Sequence, residues 1–462
     1  MSLKKGVEYE GRVLRTDFPN KGIVECENEK VIVKNTIEGQ KVRFSLSKQR
    51  SGRYEGRLHE VLERSAYEDR EPECPHFEFC GGCSYQRLSY ENQLSLKALQ
   101  VKRILDNSGN SDYEFLDIAQ SPNQWCYRNK MEFSFGDSSK NGELTLGLHK
   151  AGSFYDILQI TDCKIVNNDY NLIVKCIIEI CRKYNLSYCH KMTHKGYLRH
   201  LLIRRAATTG EILVNLVTTT QWENEIDEEV FFNEIRDSLT GIDLNGSIVG
   251  ILHSVNDDPA DTIKAEKTDI IKGKEFFFEE ILGQIFKITT FSFFQTNSFG
   301  AEVLYRIARD FVGETKNKTI FDLYSGTGTI AQILAPVAQK VIGVEIVEEA
   351  VEAAKANCDL NNLSNCSFIC GDVLKVLDDI KDKPDIIVLD PPREGIHPKA
   401  LKKIVEYGVD NIVYISCKPT SLANDLIAFR ENGYKLEKVK CCDMFPNTVH
   451  VETVVLMSRD KE

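Results

Sequence analysis

Between residues 319 and 345 an apolar run, a glycine turn, a helical stretch and a second apolar run follow one another, and few folds accommodate that order. Residues 319–323 read as a buried strand, Tyr324-Ser325-Gly326-Thr327-Gly328-Thr329 as a turn that opens a helix, and residues 340–344 as the next strand. The rhythm continues with a helical pattern over 347–360 and apolar runs at 367–370, 385–389 and 411–416. A parallel strand pair needs a crossover long enough to hold a helix, so strands alternating with helices predict a parallel, doubly wound sheet. This α/β domain is expected to span residues 289–462.

In such sheets ligands bind at the carboxyl ends of the strands, and the residues there are informative. Gly326, Gly328 and Ala331 satisfy the loose G-x-G-x-x-A pattern, in which glycine lets backbone approach a ligand and the helix start offers amide donors. Glu345 ends the next strand nineteen residues after Gly326, where a carboxylate can accept both hydroxyls of a ribose. Dinucleotide and S-adenosylmethionine (SAM) enzymes share that arrangement. Two further features separate them: Asp372 after the third strand, and Asp390-Pro391-Pro392-Arg393 after the fourth. The second puts a rigid, polar strand end beside the reacting methyl group. Alone, an Asp after a strand is often a helix cap and Pro-Pro often only a turn. The four features in this order point to SAM.

Composition bounds the rest. A chain of 462 residues with 42% hydrophobic and 27% charged residues should form two or three globular domains. It holds no apolar run of the roughly 18 residues a membrane span needs, and its N-terminus lacks a secretory h-region. A cytoplasmic location is expected, where the fifteen cysteines serve as free thiols, metal ligands or nucleophiles rather than disulfides. The net charge of −11 opposes nucleic-acid binding overall, because phosphate contacts need Lys and Arg. Basic character recurs locally, however, in the first 66 residues, at residues 199–205 and at residues 127–130.

Residues 1–66 read as five short strands (8–14, 22–25, 30–33, 40–46 and 54–62) separated by polar turns. That pattern fits a small barrel, which as a class serves nucleic-acid binding and protein adaptor roles about equally. The central region, residues 67–288, opens with Cys74, Cys80 and Cys83 in C-x5-C-x2-C spacing, and Gly81-Gly82 permits a tight turn around a metal centre. A helix is expected near 90–106, within a helical part near 86–118 that would pack on the catalytic domain. Thiolates in this pattern suit an iron–sulfur cluster or tetrahedral zinc equally, and spacing does not choose between them.

One cysteine stands apart by position. Tyr414-Ile415-Ser416-Cys417-Lys418-Pro419 leaves a buried strand for a loop at the carboxyl edge of the sheet, where a thiol can be accessible and act as a thiolate nucleophile. Cys358, Cys366, Cys370, Cys441 and Cys442 read as packing residues. Near the C-terminus, residues 444–452 lead into an apolar strand at 454–457, and Glu452 stands at its start. Desolvation there would raise its pKa toward the range of a general base, although an exposed strand-end glutamate fits the position too.

Taken together, residues 293–297 (Phe-Phe-Gln-Thr-Asn), 322–329, 390–393, 416–419 and 445–452 resemble the bacterial RNA 5-methyluridine methyltransferases that carry an N-terminal TRAM domain and an iron–sulfur cluster. The resemblance covers nearly the whole chain. It implies a multidomain protein with an OB-like TRAM barrel that holds RNA, a central α+β iron–sulfur domain, and a C-terminal Rossmann-like SAM methyltransferase. It implies that Gln295, Tyr324, Glu345 and Asp390 contact SAM, with Asp372 beside them, and that Cys163 completes a [4Fe–4S] site with Cys74, Cys80 and Cys83. Lys418 departs from the Asn or Asp the family commonly has after its nucleophile.

The expected reaction is C5 methylation of uridine in RNA, acting as a monomer and without a membrane. Cys417 would add to C6, and Glu452 would remove the C5 proton. Phe291, Phe293, Phe294 and Phe445 are candidate base stackers. The TRAM barrel with four cluster-type cysteines favours 23S ribosomal RNA, with the T-loop uridine of tRNA as the alternative. Competing readings are an NAD-linked iron–sulfur oxidoreductase, which leaves Asp390-Pro391-Pro392 and Cys417 without a purpose, and a non-catalytic RNA-binding protein, which Cys417 and Glu452 argue against. DNA cytosine methylation fits less well, because Ser416 stands where that family has Pro before its cysteine.

Overall fold

A computed structural model describes residues 3–50, 52–260 and 265–460, which divide into two compact units. The first comprises residues 1–73, 83–121 and 391–462; the second comprises 74–82 and 122–390. Among the described residues no helix is long and apolar enough to cross a membrane.

The first unit begins with a closed five-stranded barrel built from Glu8–Asp17, Lys21–Cys26, Glu29–Lys34, Lys41–Arg50 and Arg53–Glu63. Alternation along each strand turns Val13, Val24, Val31, Val33, Val42 and Phe44 inward, and all are at most 1% exposed. Each such side chain stabilises the barrel by roughly 1.5–3 kcal/mol relative to exposure. Glu27 and Asn28 both take positive φ (48° and 65°), giving the two-residue turn that suits the twist of the flanking strands. At Gly56 a Cβ would meet Phe44 at 2.7 Å, so only glycine lets that strand cross the core.

The rest of the first unit carries the strands Asn411–Ser416, Glu452–Arg459, Tyr434–Cys442 and Glu114–Ala119, paired in that order. Here the structure departs from the parallel sheet expected from sequence. Glu452–Arg459 runs antiparallel to both of its neighbours, and only Tyr434–Cys442 with Glu114–Ala119 is parallel. The reason is chain length: the link between Cys442 and Glu452 is shorter than the dozen or so residues a parallel crossover needs. The helices Tyr90–Asn107, Pro398–Glu406 and Pro419–Glu431 belong to the same unit. Ser89 caps the first of them by accepting from Asn92 N at 3.3 Å.

The second unit holds a seven-stranded mixed sheet in the order Lys267–Gly273, Ser247–Val255, Glu211–Thr218, Leu198–Arg205, Lys130–Asp137, Leu144–His149, Ile157–Gln159. Its polar helices Asn168–Lys183 and Glu228–Gly241 bury one apolar face each, through Ile173, Ile177 and Cys181 in the first and Phe231, Ile235 and Leu239 in the second. The basic cluster at 199–205 proves structural. Arg199 donates to the carbonyls of Asn256, Asp258 and Ala260, and Arg205 pairs with Asp169 at 3.0 Å. Arg204, 1% exposed, donates to the carbonyls of Thr289, Thr290 and Ser292. Its guanidinium thereby fixes the start of the loop that carries Phe293, Phe294 and Gln295.

After that loop, helix Ser298–Val312 leads to four parallel strands in the order Cys366–Cys370, Ala338–Glu345, Thr315–Leu323, Ile386–Leu389. This part matches the strand–turn–helix rhythm of the sequence closely, because buried apolar runs and glycine turns are both local signals.

Candidate active site

In the second unit the carboxyl ends of the parallel strands gather an acidic cluster. Tyr324 leaves Thr315–Leu323 with φ +67°, unusual for a residue with a Cβ, and Gly326 and Gly328 continue at +53° and +73°. A side chain at Gly328 would meet Phe368 at 2.5 Å and Ala354 at 2.8 Å, so the turn is closed to anything larger. Glu345 pins it: one carboxylate oxygen accepts from Gly326 N and the other from Val347 N, each at 2.9 Å. Lone pairs on both oxygens remain for hydroxyl donors.

Asp322, in the strand just before this turn, is fully buried. Its Oδ2 accepts from Ala331 N at 3.0 Å, while Oδ1 and the nearby Ser325 Oγ are buried without a hydrogen-bond partner among the described residues. Burial, with repulsion from Asp390 and Glu345 added, pushes its carboxyl well above the usual range. Asp390 keeps part of its surface exposed, yet desolvation pushes it up to about 7. Three carboxyl groups, one of them with an orphaned buried oxygen, fit a ligand that brings positive charge and hydroxyl donors. SAM has both, in its sulfonium, ammonium and ribose groups, whereas a pyrophosphate would be repelled. Sequence reasoning left Asp322 without a role, although its place ahead of the glycine turn was visible.

The other expected SAM contacts are placed as follows. Gln295 is partly exposed, and its carbonyl accepts from Asn129 Nδ2 at 2.9 Å. Asn129 also donates to Ser298 Oγ, which donates to Glu279 at 2.6 Å, so a polar chain holds the Gln295 loop. Asp372 does cap a helix: its Oδ1 accepts from Leu374 N at 2.9 Å. Among the aromatic candidates, Phe294 is 5% exposed and packs on Phe286, so it is core rather than a stacking surface, whereas Phe293 is 66% exposed. Cys370 is exposed, not the packing residue its strand position implied.

In the first unit, Cys417 follows the last residue of Asn411–Ser416 and precedes helix Pro419–Glu431. It is partly exposed and stands next to Lys418, the N-cap of that helix, where backbone N–H groups favour negative charge. Ser416 Oγ accepts from Lys418 N at 3.2 Å, which closes the turn. Ser416 pairs with Thr453 as the last pair of the antiparallel register, and Cys417 and Glu452 are the next residues along the two chains at that end. Glu452 is 6% exposed. The 391–396 turn is tied to the same helix: Ser421 donates to the Arg393 carbonyl at 2.7 Å, and Asp425 accepts from Ile396 N and from Tyr414 OH.

The loop that leads to Glu452 is held from below by helix Tyr90–Asn107. Lys97 Nζ donates to Asp443 Oδ1 at 2.7 Å and to the Phe445 carbonyl at 3.1 Å, with both charged side chains 0% exposed. Gln93 exchanges hydrogen bonds with Asn447, giving to its side chain at 3.1 Å and accepting from its backbone N–H at 2.8 Å. Gln93, Lys97 and Asp443 belong to no motif, and no local signal pairs them with their partners.

The cysteines expected to hold metal are only partly gathered. Among the described residues no three His, Cys, Asp or Glu side chains form a ready ligand set. Within the second unit, burial pushes the Cys80 thiol up, with a smaller push from Cys74, and Cys80 Sγ accepts from Gly82 N at 3.4 Å. His76, between them in sequence, bonds Asp162 at 2.7 Å and so ties their loop to the turn bearing Cys163. Cys83 falls in the first unit.

Comparison with known proteins agrees with this chemistry. Residues 89–460 match the family model described as tRNA (Uracil-5-)-methyltransferase. An uncharacterized RNA methyltransferase of Clostridium tetani is 48% identical over 459 residues, 99% of each chain. One from Caldanaerobacter subterraneus is 46% identical over 457 residues, 99% of this chain and 100% of its own. The solved structure of the Pyrococcus abyssi tRNA (uracil-54, C5)-methyltransferase in complex with S-adenosyl-L-homocysteine superposes with a TM-score of 0.74 at 25% identity, over 97% of this chain and 100% of that one. The glycine turn with its acidic cluster, the cysteine–glutamate pair and a family match over four-fifths of the residues converge: the chain belongs to the tRNA (uracil-5-)-methyltransferase family, whose members methylate RNA with SAM.

Proposed function

We propose that this protein methylates C5 of uridines in 23S ribosomal RNA, with Cys417 as nucleophile and Glu452 as general base. The observation that supports the reading is the strand register, whose last pair Ser416–Thr453 is followed by a thiol, Cys417, on one chain and preceded by a carboxylate, Glu452, on the other. The Cys417 thiolate adds to C6 of the uracil, which makes C5 nucleophilic. Bound SAM supplies the electrophilic methyl group. Glu452 takes the proton from the methylated C5, and breaking the Cys417–C6 bond releases 5-methyluridine. Gln295, Tyr324, Glu345, Asp372 and Asp390 hold SAM; the ribose hydroxyls suit Glu345, and Asp390 faces positive charge. The target base has to leave its stack for C6 to be reached, so the substrate is a loop or an opened helix. The N-terminal barrel acts as a TRAM domain that grips the RNA.

Preference for ribosomal RNA rests on the resemblance to TRAM-bearing, cluster-bearing enzymes. The Pyrococcus abyssi structure favours tRNA as the second reading. The test is incubation of the anaerobically purified protein with labelled SAM and, separately, ribosomal RNA and tRNA lacking 5-methyluridine, followed by mass mapping. Label in ribosomal uridines supports the proposal, and label confined to tRNA replaces the substrate while keeping the chemistry.

Glu452→Gln should arrest the reaction after Cys417 has added, trapping protein on RNA as a complex that survives denaturing electrophoresis. Release at the wild-type rate would remove Glu452 from the base role.

The acidic cluster yields a pH dependence. Asp390 ionises near 7 in the fold against an ordinary 3.8, so the folded state keeps a proton that the unfolded chain gives up. Stability of the free protein therefore falls as pH rises between those values. A cationic ligand favours the ionised carboxylate, so SAM should bind about eightfold more tightly at pH 7.5 than at pH 6, as expected for one linked proton. Calorimetry in two buffers of different ionisation enthalpy reads the proton release, and a flat affinity across that range would detach Asp390 from SAM.

Cys74, Cys80, Cys83 and Cys163 hold a [4Fe–4S] cluster in this reading, with zinc as the alternative for the same four thiolates. The His76–Asp162 tie, which joins the loop of Cys74 and Cys80 to the turn bearing Cys163, supports it. No electron is needed for methyl transfer, so the cluster is structural. Anaerobic protein should contain about four iron and four sulfide per chain with broad visible absorbance that dithionite bleaches; zinc in their place would select the alternative.

A further inference from the structure

Residues 188–200, Tyr-Cys-His-Lys-Met-Thr-His-Lys-Gly-Tyr-Leu-Arg-His, contain no Asp or Glu in a chain whose net charge is −11. In the second unit this stretch lines a cavity of about 390 Å³ together with Lys140 and Tyr155. A smaller cavity of about 160 Å³ also reaches Lys191 and adds His194 and His200. At the mouth, large apolar side chains face solvent: Phe154 is 63% exposed, Tyr155 54% and Met192 68%. Three such residues on one patch are costly to leave bare, and in soluble proteins such patches mark interaction sites.

The patch is also organised. Phe154 and Tyr155 meet edge to face with ring centroids 5.4 Å apart, and Tyr155 OH donates to Met192 Sδ at 3.6 Å. Lys191 Nζ lies 4.4 Å from the Phe154 ring centroid and donates to the Phe154 carbonyl at 3.3 Å. His149 stacks on Phe154 at 6.3 Å. Of the carboxylates in the lining, Asp137 is engaged by the Tyr188 hydroxyl, which leaves Asp156. Aromatic faces interleaved with Lys and His match a single-stranded nucleic acid, whose bases stack and whose phosphates need cations.

We propose that this surface of the second unit is a further RNA contact, in which an unpaired base stacks on Phe154 and Tyr155 while Lys140 and Lys191 meet its phosphates. The inference rests on RNA being the substrate. It assigns the patch a role in holding RNA and none in the methyl transfer.

The test uses the full-length protein with Phe154→Ala, Lys191→Ala and the double variant, all surface changes. Fluorescence anisotropy with a labelled octa-uridylate should show about tenfold weaker binding for Phe154→Ala, and for Lys191→Ala a salt dependence shallower by about one phosphate contact. In methylation assays the double variant should raise KM for RNA about tenfold or more and leave kcat unchanged. Photocrosslinks from 4-thiouridine in the octamer should map to the peptides containing residues 154–155 or 188–195. Unchanged binding by both variants, or crosslinks confined to other segments, overturns the proposal. Polyglutamate that binds as tightly as the octamer also overturns it, in favour of an acidic protein surface. Wild-type protein that binds the octamer here but methylates no RNA would fail the catalytic reading and leave this one standing.

Discussion

Cys417→Ala should abolish methyl transfer to RNA, with turnover expected to drop by at least about 10³-fold, while SAM binding changes less than about twofold. The size of the loss follows from the role proposed for the thiol. C5 of uracil is a weak nucleophile until a covalent bond at C6 disrupts the ring's conjugation, and no other side chain on this loop can form that bond. Ser416 is 5% exposed and its hydroxyl already accepts from Lys418 N–H. SAM affinity should survive because the acidic cluster, the glycine turn and Glu345 lie on other strands. Labelled-methyl incorporation and calorimetry with SAM measure the two quantities. Methylation retained at more than a few per cent of wild type would rule out the covalent route through Cys417. Loss of SAM binding along with activity would mean that the substitution disturbs more than the thiol.

Lys97→Met should be the most damaging single change away from the reacting groups. Lys97 and Asp443 form a fully buried ion pair, and the same ammonium holds the Phe445 carbonyl at 3.1 Å. Burial pushes the Lys97 ammonium toward its neutral form, and Asp443 opposes that shift. Removing the lysine strands a carboxylate in the interior, which costs about 3–5 kcal/mol. It also frees the loop that delivers Glu452, and a displacement of an ångström or so at a catalytic group can cost about 100-fold in rate. Chemical denaturation and steady-state kinetics separate the two effects. In Lys97→Met/Asp443→Leu the buried charge is gone on both sides, so stability should return to near wild type. The Phe445 carbonyl keeps Thr448 N–H and Oγ1 as donors but loses the ammonium that ties it to the helix, so kcat should stay low with KM for SAM unchanged. Full recovery of kcat in the double variant would mean that the pair contributes only to stability.

The polar stripe on helix Tyr90–Asn107 explains why this device escaped sequence reading. Gln93, Lys97 and Gln100 lie on the helix's buried face, where periodicity expects apolar residues. Each donates to a partner distant in sequence: Asn447, Asp443 and the Thr16 carbonyl. A helical pattern reveals that a face is buried but carries no information about which polar atoms will meet it. The basic cluster at 199–205 misled for the related reason that a guanidinium bound to backbone carbonyls and one facing a phosphate look alike in sequence.

Local chemistry was enough for much of the molecule. The strand–turn–helix order, the positive-φ glycines, Glu345 at its strand end, Asp390 before two prolines and Cys417 on its loop were all legible, because each depends on neighbours within a few residues. The barrel strands were legible as well, since alternation of buried and exposed side chains is a property of each strand alone. Only the tertiary structure decided the antiparallel course of Glu452–Arg459, and with it the placement of Glu452 at the same sheet end as Cys417. It also decided the clustering of Asp322 with Asp390 and Glu345 and the Lys97–Asp443 pair under the loop that precedes Glu452. Those features depend on contacts between residues tens to hundreds of positions apart. Backbone sterics and side-chain periodicity act over one or two turns, whereas burial, charge coupling and strand register are set by whatever the folded chain brings alongside.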